Sequence, residues 1–327
     1  MTTVPEPDPI PAGRAGAASW AGQRERSNRG ALRLMAWIAV HLGRRAARLL
    51  LLPITVYFLL FSPMAARHSR RYLARALGRA PGWRDRWRHL HAFASVVLDR
   101  IYFARGGPKD LRVEVQGGEL VYAALASGRG AFMLGAHIGS FEALHAVGKG
   151  EQLPVAMVMY PDNARMIQGV LHAVAPELKL EIIAIGRPGS TLAIRDWLER
   201  GGLVGMLGDR LPPTSGAGGG AGGRGDLERL PFLGTPAVFG TGPLRLAQML
   251  RRPLLFMVGL YLGGDRYQVR FEELADFSAS AADPALREQE LERALQDYVA
   301  RLEALCREAP YNWFNFHDFW SEDGPRA

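Results

Sequence analysis

Ala131-Phe132-Met133-Leu134-Gly135-Ala136-His137-Ile138-Gly139-Ser140-Phe141-Glu142 is the stretch whose reading decides the architecture. Its first five residues form an apolar run with no polar alternation. Such a run reads as a strand buried on both faces. Ile138-Gly139-Ser140 then turns the chain, and 141–148 reads as a short helix. The same alternation continues on either side. Upstream come a short strand at 113–115 and a helix at 118–127. Downstream, strands at 154–160, 180–185 and 203–207 alternate with helices at 164–174 and 191–200. A helix at 244–250, strands at 254–262 and 267–271, and a long helix at 284–308 follow. The last carries Leu291, Leu295, Tyr298, Leu302 and Leu305 on one face. Strands separated by helices of roughly ten residues imply an α/β fold, a central mostly parallel sheet flanked by helices. Ligands of such sheets bind beyond the carboxyl ends of the strands. His137 lies there.

The chain has 327 residues, 48% hydrophobic and 22% charged, with one cysteine, Cys306. That composition excludes a disordered chain, a coiled coil, a disulfide framework and a cysteine-based metal site. The net charge of +8 is unevenly spread. Residues 1–110 carry 19 Lys and Arg against 6 Asp and Glu, and the remainder carries 21 against 26. A mildly acidic body argues against nucleic acid as a partner. The basic excess is nearly all arginine and flanks an apolar stretch, which points to an anionic membrane surface.

Four regions follow. Residues 1–30 lack apolar periodicity and read as a disordered basic arm. Residues 31–105 read as a helical membrane-associated region. Residues 106–320 form the α/β domain, and 321–327 a tail. The apolar runs 34–42 and 49–61 are each shorter than the roughly 20 residues of a transmembrane helix, and Arg44, Arg45 and Arg48 lie between them. An N-terminal apolar helical anchor, as a hairpin or an interfacial helix, fits better than a clean span. Helices over 64–104 are separated at Pro81-Gly82.

No Gly-x-Ser-x-Gly elbow, P-loop or His-Glu-x-x-His motif is present. The Gly-x-Gly-x-x-Gly match at 218–223 sits in a stretch that is nearly all glycine and leads into no helix, so it reads as a flexible connection. Three His-x4-Glu spacings occur, at His137–Glu142, His172–Glu177 and His317–Glu322. Context separates them: only His137 follows a buried strand, with Glu142 in the first turn of the next helix. A carboxylate there can fix the imidazole tautomer and leave the other nitrogen as general base; a structural histidine is the plainer alternative. Gly208-Asp209-Arg210 ends another strand at the same edge, where Arg210 can bind a phosphate or an oxyanion and Asp209 can orient it. Asn163 and Arg165 follow a third strand, and Arg165 is placed to meet an anionic substrate. Trp313, Phe314, Phe316, Phe319 and Trp320 read as a buried clamp over the sheet or as an interfacial contact. No metal or cofactor is called for.

Gly135-Ala136-His137-Ile138-Gly139-Ser140-Phe141-Glu142 resembles the His-x4-Asp/Glu block of the lysophospholipid acyltransferase superfamily, in the branch of the bacterial lipid A late acyltransferases and phosphatidylinositol mannoside acyltransferases. Gly205-Met206-Leu207-Gly208-Asp209-Arg210 is similar to that branch's Asp-Arg block. Leu230-Pro231-Phe232-Leu233-Gly234-Thr235-Pro236-Ala237 is similar to its Phe-Phe-Gly-x-x-Ala block, and Trp313–Trp320 to its aromatic tail. The glycine-rich 215–225 stretch departs from the pattern. The resemblance spans about residues 31–320. It implies an acyl group moving from an acyl carrier protein or coenzyme A thioester to a hydroxyl of a lipid or glycolipid such as lipid A, on the cytoplasmic face of a bacterial inner membrane. His137 would act as base, Glu142 would hold it, and Arg210 or backbone N–H groups would stabilise the oxyanion. A thioester or ester hydrolase using the same pair, and a catalytically idle lipid-binding protein, remain open alternatives.

Overall fold

A computed structural model describes residues 41–104, 111–143, 153–161, 181–211 and 227–320. The arm at 1–30, the helix expected at 164–174, the glycine-rich 215–225 stretch and the tail at 321–327 lie outside the described residues. The helices are α1 (Gly43–Phe61), α2 (Pro63–Leu77), α3 (Trp83–Ala104), α4 (Gly118–Ala126), α5 (Ser190–Glu199), α6 (Gly242–Met249) and α7 (Pro284–Glu308). The strands are β1 (Arg112–Gln116), β2 (Ala131–Gly135), β3 (Val155–Met159), β4 (Glu181–Ala184), β5 (Leu203–Leu207), β6 (Leu227–Phe232), β7 (Thr235–Gly240), β8 (Pro253–Gly263) and β9 (Arg266–Asp276).

Seven strands form one sheet in the order β1-β9-β8-β2-β5-β3-β4. The five from β8 to β4 are mutually parallel. β9 runs antiparallel to β8, and β1 pairs parallel to β9. The reversal is local in origin: Gly263 and Gly264, at φ +91° and +65°, close a tight hairpin after β8.

Both faces of the sheet are covered, which explains the unbroken apolar runs. In β2, Phe132 and Leu134 pack into a core with α2, α5, α6 and α7, while Ala131 and Met133 pack with α3 and α4. β8 alternates in the same way. Helices α2 and α3 therefore contribute to the cores of the sheet itself, through Tyr72 and Leu73 on one face and Val96 and Phe103 on the other.

β6 and β7 form a separate two-stranded hairpin. Leu233 and Gly234, at φ +51° and +78°, make its two-residue turn. Pro231 and Pro236 face each other across it. Prolines in a run argue against a strand, but in a two-stranded ribbon every strand is an edge and a missing N–H is tolerated.

Among the described residues no single helix is long and apolar enough to cross a membrane; α1 and α2 pass that test only as a pair bent by 93°. The arginines expected to burden a bilayer segment have a different role. Arg44 is buried and forks onto Asp99 of α3, with both N–O distances 2.7 Å, and donates to the Gly264 carbonyl at 2.6 Å. Tyr267 donates to the same Asp99 at 2.7 Å. Arg48 donates to Tyr261 Oη and the Gly264 carbonyl. These two arginines pin α1 to α3 and the β8–β9 hairpin. The opposite side of α1 leaves Leu49, Leu52, Val56, Tyr57, Phe58, Leu60 and Phe61 exposed.

Candidate functional site

Sheet register builds the site. Gly135 at the end of β2 and Leu207 at the end of β5 are register partners. His137 and Asp209 each lie two residues further on, so the two side chains emerge together at the carboxyl edge. Asp209 Oδ1 accepts from His137 Nδ1 at 2.8 Å. Asp209 Oδ2 accepts from the His137 backbone N–H at 3.0 Å and from Trp313 Nε1–H at 2.9 Å. A carboxylate offers only acceptors, so it fixes the proton on Nδ1 and leaves the lone pair on Nε2. The His137 side chain is 30% exposed and that of Asp209 only 2%.

Burial alone would raise the Asp209 pKa. The adjacent His137 charge and hydrogen bond, with Arg210 and the Trp313 bond, overcome it and hold the carboxyl well below the usual range. Burial also dominates at His137 and lowers its pKa below the ordinary 6.5; Asp209 opposes and Arg210 assists. The ring is thus neutral and basic at neutral pH, as a general base must be.

Glu142, the expected partner of His137, is elsewhere. Its Oε1 lies 2.9 Å from Arg100 Nε on α3, and its Oε2 accepts from Ser140 Oγ at 3.2 Å. Ser140 Oγ also accepts from Ala143 N–H, capping the helical turn that begins at Phe141. The cap and the Arg100 ion pair commit Glu142 to α3. Asp209, expected to orient Arg210, holds His137 instead. Asn163 and Arg165 lie outside the described residues.

The loop carrying His137 follows a path open only to glycine. Gly139 has φ +59°, and a Cβ on it would lie 1.9 Å from the Gly259 carbonyl oxygen. That contact lets Ser140 N–H donate to Gly259 O at 2.7 Å and Gly139 N–H to Asn312 O at 2.8 Å. Phe314 N–H donates to His137 O at 2.9 Å. The aromatic tail is the buried clamp that its composition suggested: Trp313 and Phe319 are fully buried, and Trp313 packs edge-on against Tyr72, Phe232 and Phe319. What the sequence did not disclose is that the Trp313 indole holds Asp209. Behind it, His89 is hydrogen-bonded to the Trp313 carbonyl and to Ser69 Oγ, both at 2.8 Å. Burial pushes His89 down to about 4, against the Trp313 bond.

No family model matches the chain, and no curated protein matches its sequence significantly. The chemistry must be argued from the site itself.

Among the described residues, no serine, threonine or cysteine hydroxyl or thiol hydrogen-bonds His137. Cys306 is fully buried, and burial pushes its thiol up, so it is no nucleophile. No cluster of three or more His, Cys, Asp or Glu side chains among the described residues is placed to hold a metal ion. The arrangement offers an oriented, partly exposed imidazole and, next in sequence to its carboxylate partner, the guanidinium of Arg210.

Proposed function

We propose that the protein is a membrane-associated O-acyltransferase, related to the lipid A late acyltransferase branch, that moves a fatty acyl group from an acyl carrier protein or coenzyme A thioester to a hydroxyl of a lipid or glycolipid. One observation carries the reading: His137 is held through Nδ1 by buried Asp209, and among the described residues no side-chain hydroxyl or thiol is hydrogen-bonded to it. A base so placed suits a substrate hydroxyl. His137 Nε2 takes the hydroxyl proton, and the oxygen attacks the thioester carbonyl. The tetrahedral oxyanion forms beside the Arg210 guanidinium. Its collapse breaks the C–S bond, and the thiolate leaves with the proton from His137. A thioester is already activated, so a base and an oxyanion donor suffice.

The exposed apolar side of α1, with Arg45 and the α2 arginines Arg67, Arg70 and Arg71 exposed nearby, supports attachment to an anionic bilayer, as an interfacial helix on the cytoplasmic face of an inner membrane. The test is thiol release from acyl carrier protein and coenzyme A thioesters by the detergent-purified protein, with and without a membrane lipid extract. Release that needs the acceptor and falls about 10²–10⁴-fold in His137→Ala is expected. Release without acceptor would instead identify a hydrolase. Full activity in His137→Ala, or no release from either donor, would overturn the reading.

A further inference from the structure

The buried face of α7 carries one hydroxyl, that of Tyr298, between Leu295 and Leu302. Tyr298 is fully buried. A hydroxyl taken out of water costs free energy unless it is bonded, so its partner is informative. Tyr298 Oη–H donates to the Gly135 carbonyl at 3.0 Å. Gly208 N–H donates to the same oxygen, also at 3.0 Å. Both lone pairs of that carbonyl are therefore engaged. Burial, reinforced by the Asp209 charge, pushes the phenol well above its usual range, so the hydroxyl keeps the proton it donates.

The bonded carbonyl sits where pairing between β2 and β5 stops. Gly135 and Leu207 are the last register partners of the two strands, and the bond from Gly208 N–H to Gly135 O is their last rung. His137 lies two residues past Gly135, and Asp209 is the next residue after Gly208. The phenol also presses on the second strand end. A Cβ on Gly208 would lie 3.1 Å from Tyr298 Cζ and Oη, and 3.0 Å from Leu134 Cδ1. Trp313 holds the Asp209 carboxylate directly, whereas Tyr298 acts one step earlier, on the backbone that delivers both side chains. Packing alone does not call for the hydroxyl, since a phenylalanine would fill nearly the same space.

We propose that Tyr298 is a positioning residue: its hydroxyl fixes the two strand ends from which His137 and Asp209 meet. It touches no substrate. Without the hydroxyl, Gly135 O keeps a single donor, and the peptide leading to Ala136 and His137 can turn about the last rung. Misplacement of a catalytic group by about 1 Å costs roughly 10²-fold in rate. The effect on rate rests on the acyl-transfer reading of the site; the effect on the geometry of the pair does not.

The test therefore reads geometry and rate separately. The full-length protein, ¹⁵N-labelled at histidine, is held in detergent micelles, and the His137 Nδ1–H proton is observed directly. Its 2.8 Å bond to a carboxylate places it downfield. Tyr298→Phe should move that resonance upfield and speed its exchange with water. In thiol-release assays kcat should fall about 10–10²-fold while the acceptor KM stays near that of wild type. Gly208→Ala presses on the same hydroxyl from the strand side and should move the resonance in the same direction. Tyr267→Phe is the matched control: it deletes another buried phenol bond, 2.7 Å to Asp99, and should lower the melting temperature without moving the resonance. A Tyr298→Phe protein with the wild-type resonance, or with wild-type kcat in an active enzyme, would overturn the proposal. So would an equal shift in Tyr267→Phe, which would mark a general loosening of the fold. The expected shift in a protein that transfers no acyl group would uphold the positioning role and sink the acyltransferase reading alone.

Discussion

Replacing Asp209 by Asn is the sharpest perturbation of the site, because the structure dictates how the new amide must sit. Oδ2 accepts two N–H groups, from the His137 backbone and from the Trp313 indole, whereas Oδ1 accepts only His137 Nδ1–H. An amide has one acceptor oxygen. Placing it at the Oδ2 position keeps two hydrogen bonds, and the reverse orientation leaves two buried donors unpaired at a cost of about 1–3 kcal/mol each. The amide nitrogen is thereby directed at His137 Nδ1. It donates, so Nδ1 must accept, and the ring proton moves to Nε2. The lone pair that should take the substrate proton is gone. The analogous change in serine proteases costs about 10⁴ in kcat. The same tautomer argument predicts a loss of about 10³–10⁴ here, or roughly 4–5.5 kcal/mol at 1.36 kcal/mol per decade. The fold should survive, since the packing is isosteric. Glu142→Gln, whose partners among the described residues are Arg100 and Ser140, should cost less than three-fold (about 0.7 kcal/mol). The assay is initial thiol release under acceptor saturation, with the ¹⁵N shifts of the His137 ring as a direct record of its tautomer. An Asp209→Asn protein with wild-type turnover and the Nδ1–H tautomer would refute the reasoning. So would a Glu142→Gln protein as damaged as Asp209→Asn.

Four further outcomes are expected. Gly139→Ala forces a Cβ onto the Gly259 carbonyl and a positive φ onto alanine, so the His137 loop should be displaced; activity should fall at least 10²-fold and the melting temperature should drop, and a fully active variant would disprove the tight approach. Asp99→Ala strands Arg44 inside the protein and should destabilise it by about 3–5 kcal/mol in denaturant titration, whereas exposed Asp196→Ala should change little. His89 has an ordinary pKa near 6.5 when unfolded and about 4 when folded; the unfolded chain binds the extra proton, so stability should be full above pH 6.5 and decline as pH falls toward 4, with His89→Gln flattening the melting-temperature profile in that window. Changing Leu49, Leu52, Val56 and Leu60 together to Ser removes apolar side chains already in water and should abolish flotation with anionic vesicles while leaving the melting temperature within a few degrees; undiminished flotation would remove α1 from the membrane contact.

The sheet was legible because its central strands are buried on both faces. Ala131–Gly135 and Leu203–Leu207 are strands at the residues where their apolar runs begin and end. The β6–β7 hairpin was not, since Pro231 and Pro236 speak against strands in any sequence window, and only the two-strand context excuses them. The arginines of α1 show the same limit. Arg44 and Arg48 look costly beside a run of leucines, and nothing local reveals that Asp99 and the Gly264 carbonyl, far along the chain, neutralise and accept from them.

The His137 site was half legible for a related reason. A base after a buried strand is a local fact, and the sequence carries it. The identity of its carboxylate is a fact about register, and two candidates were within reach of the same sheet edge. Spacing favoured Glu142, five residues away, over Asp209, seventy-two away. Geometry reverses the choice, because the helical turn that begins at Phe141 engages Glu142 in its own cap: Ser140 binds Ala143 N–H and Glu142, and Arg100 takes the rest of that carboxylate. A parallel neighbour imposes no such demand. Once Gly135 and Leu207 are aligned, residues two steps beyond each strand must meet. In a parallel sheet, then, equal offsets from adjacent strand ends are a better guide to which side chains meet than proximity along the chain, and Gly-x-His after one strand with Gly-Asp after its neighbour was the signal present here.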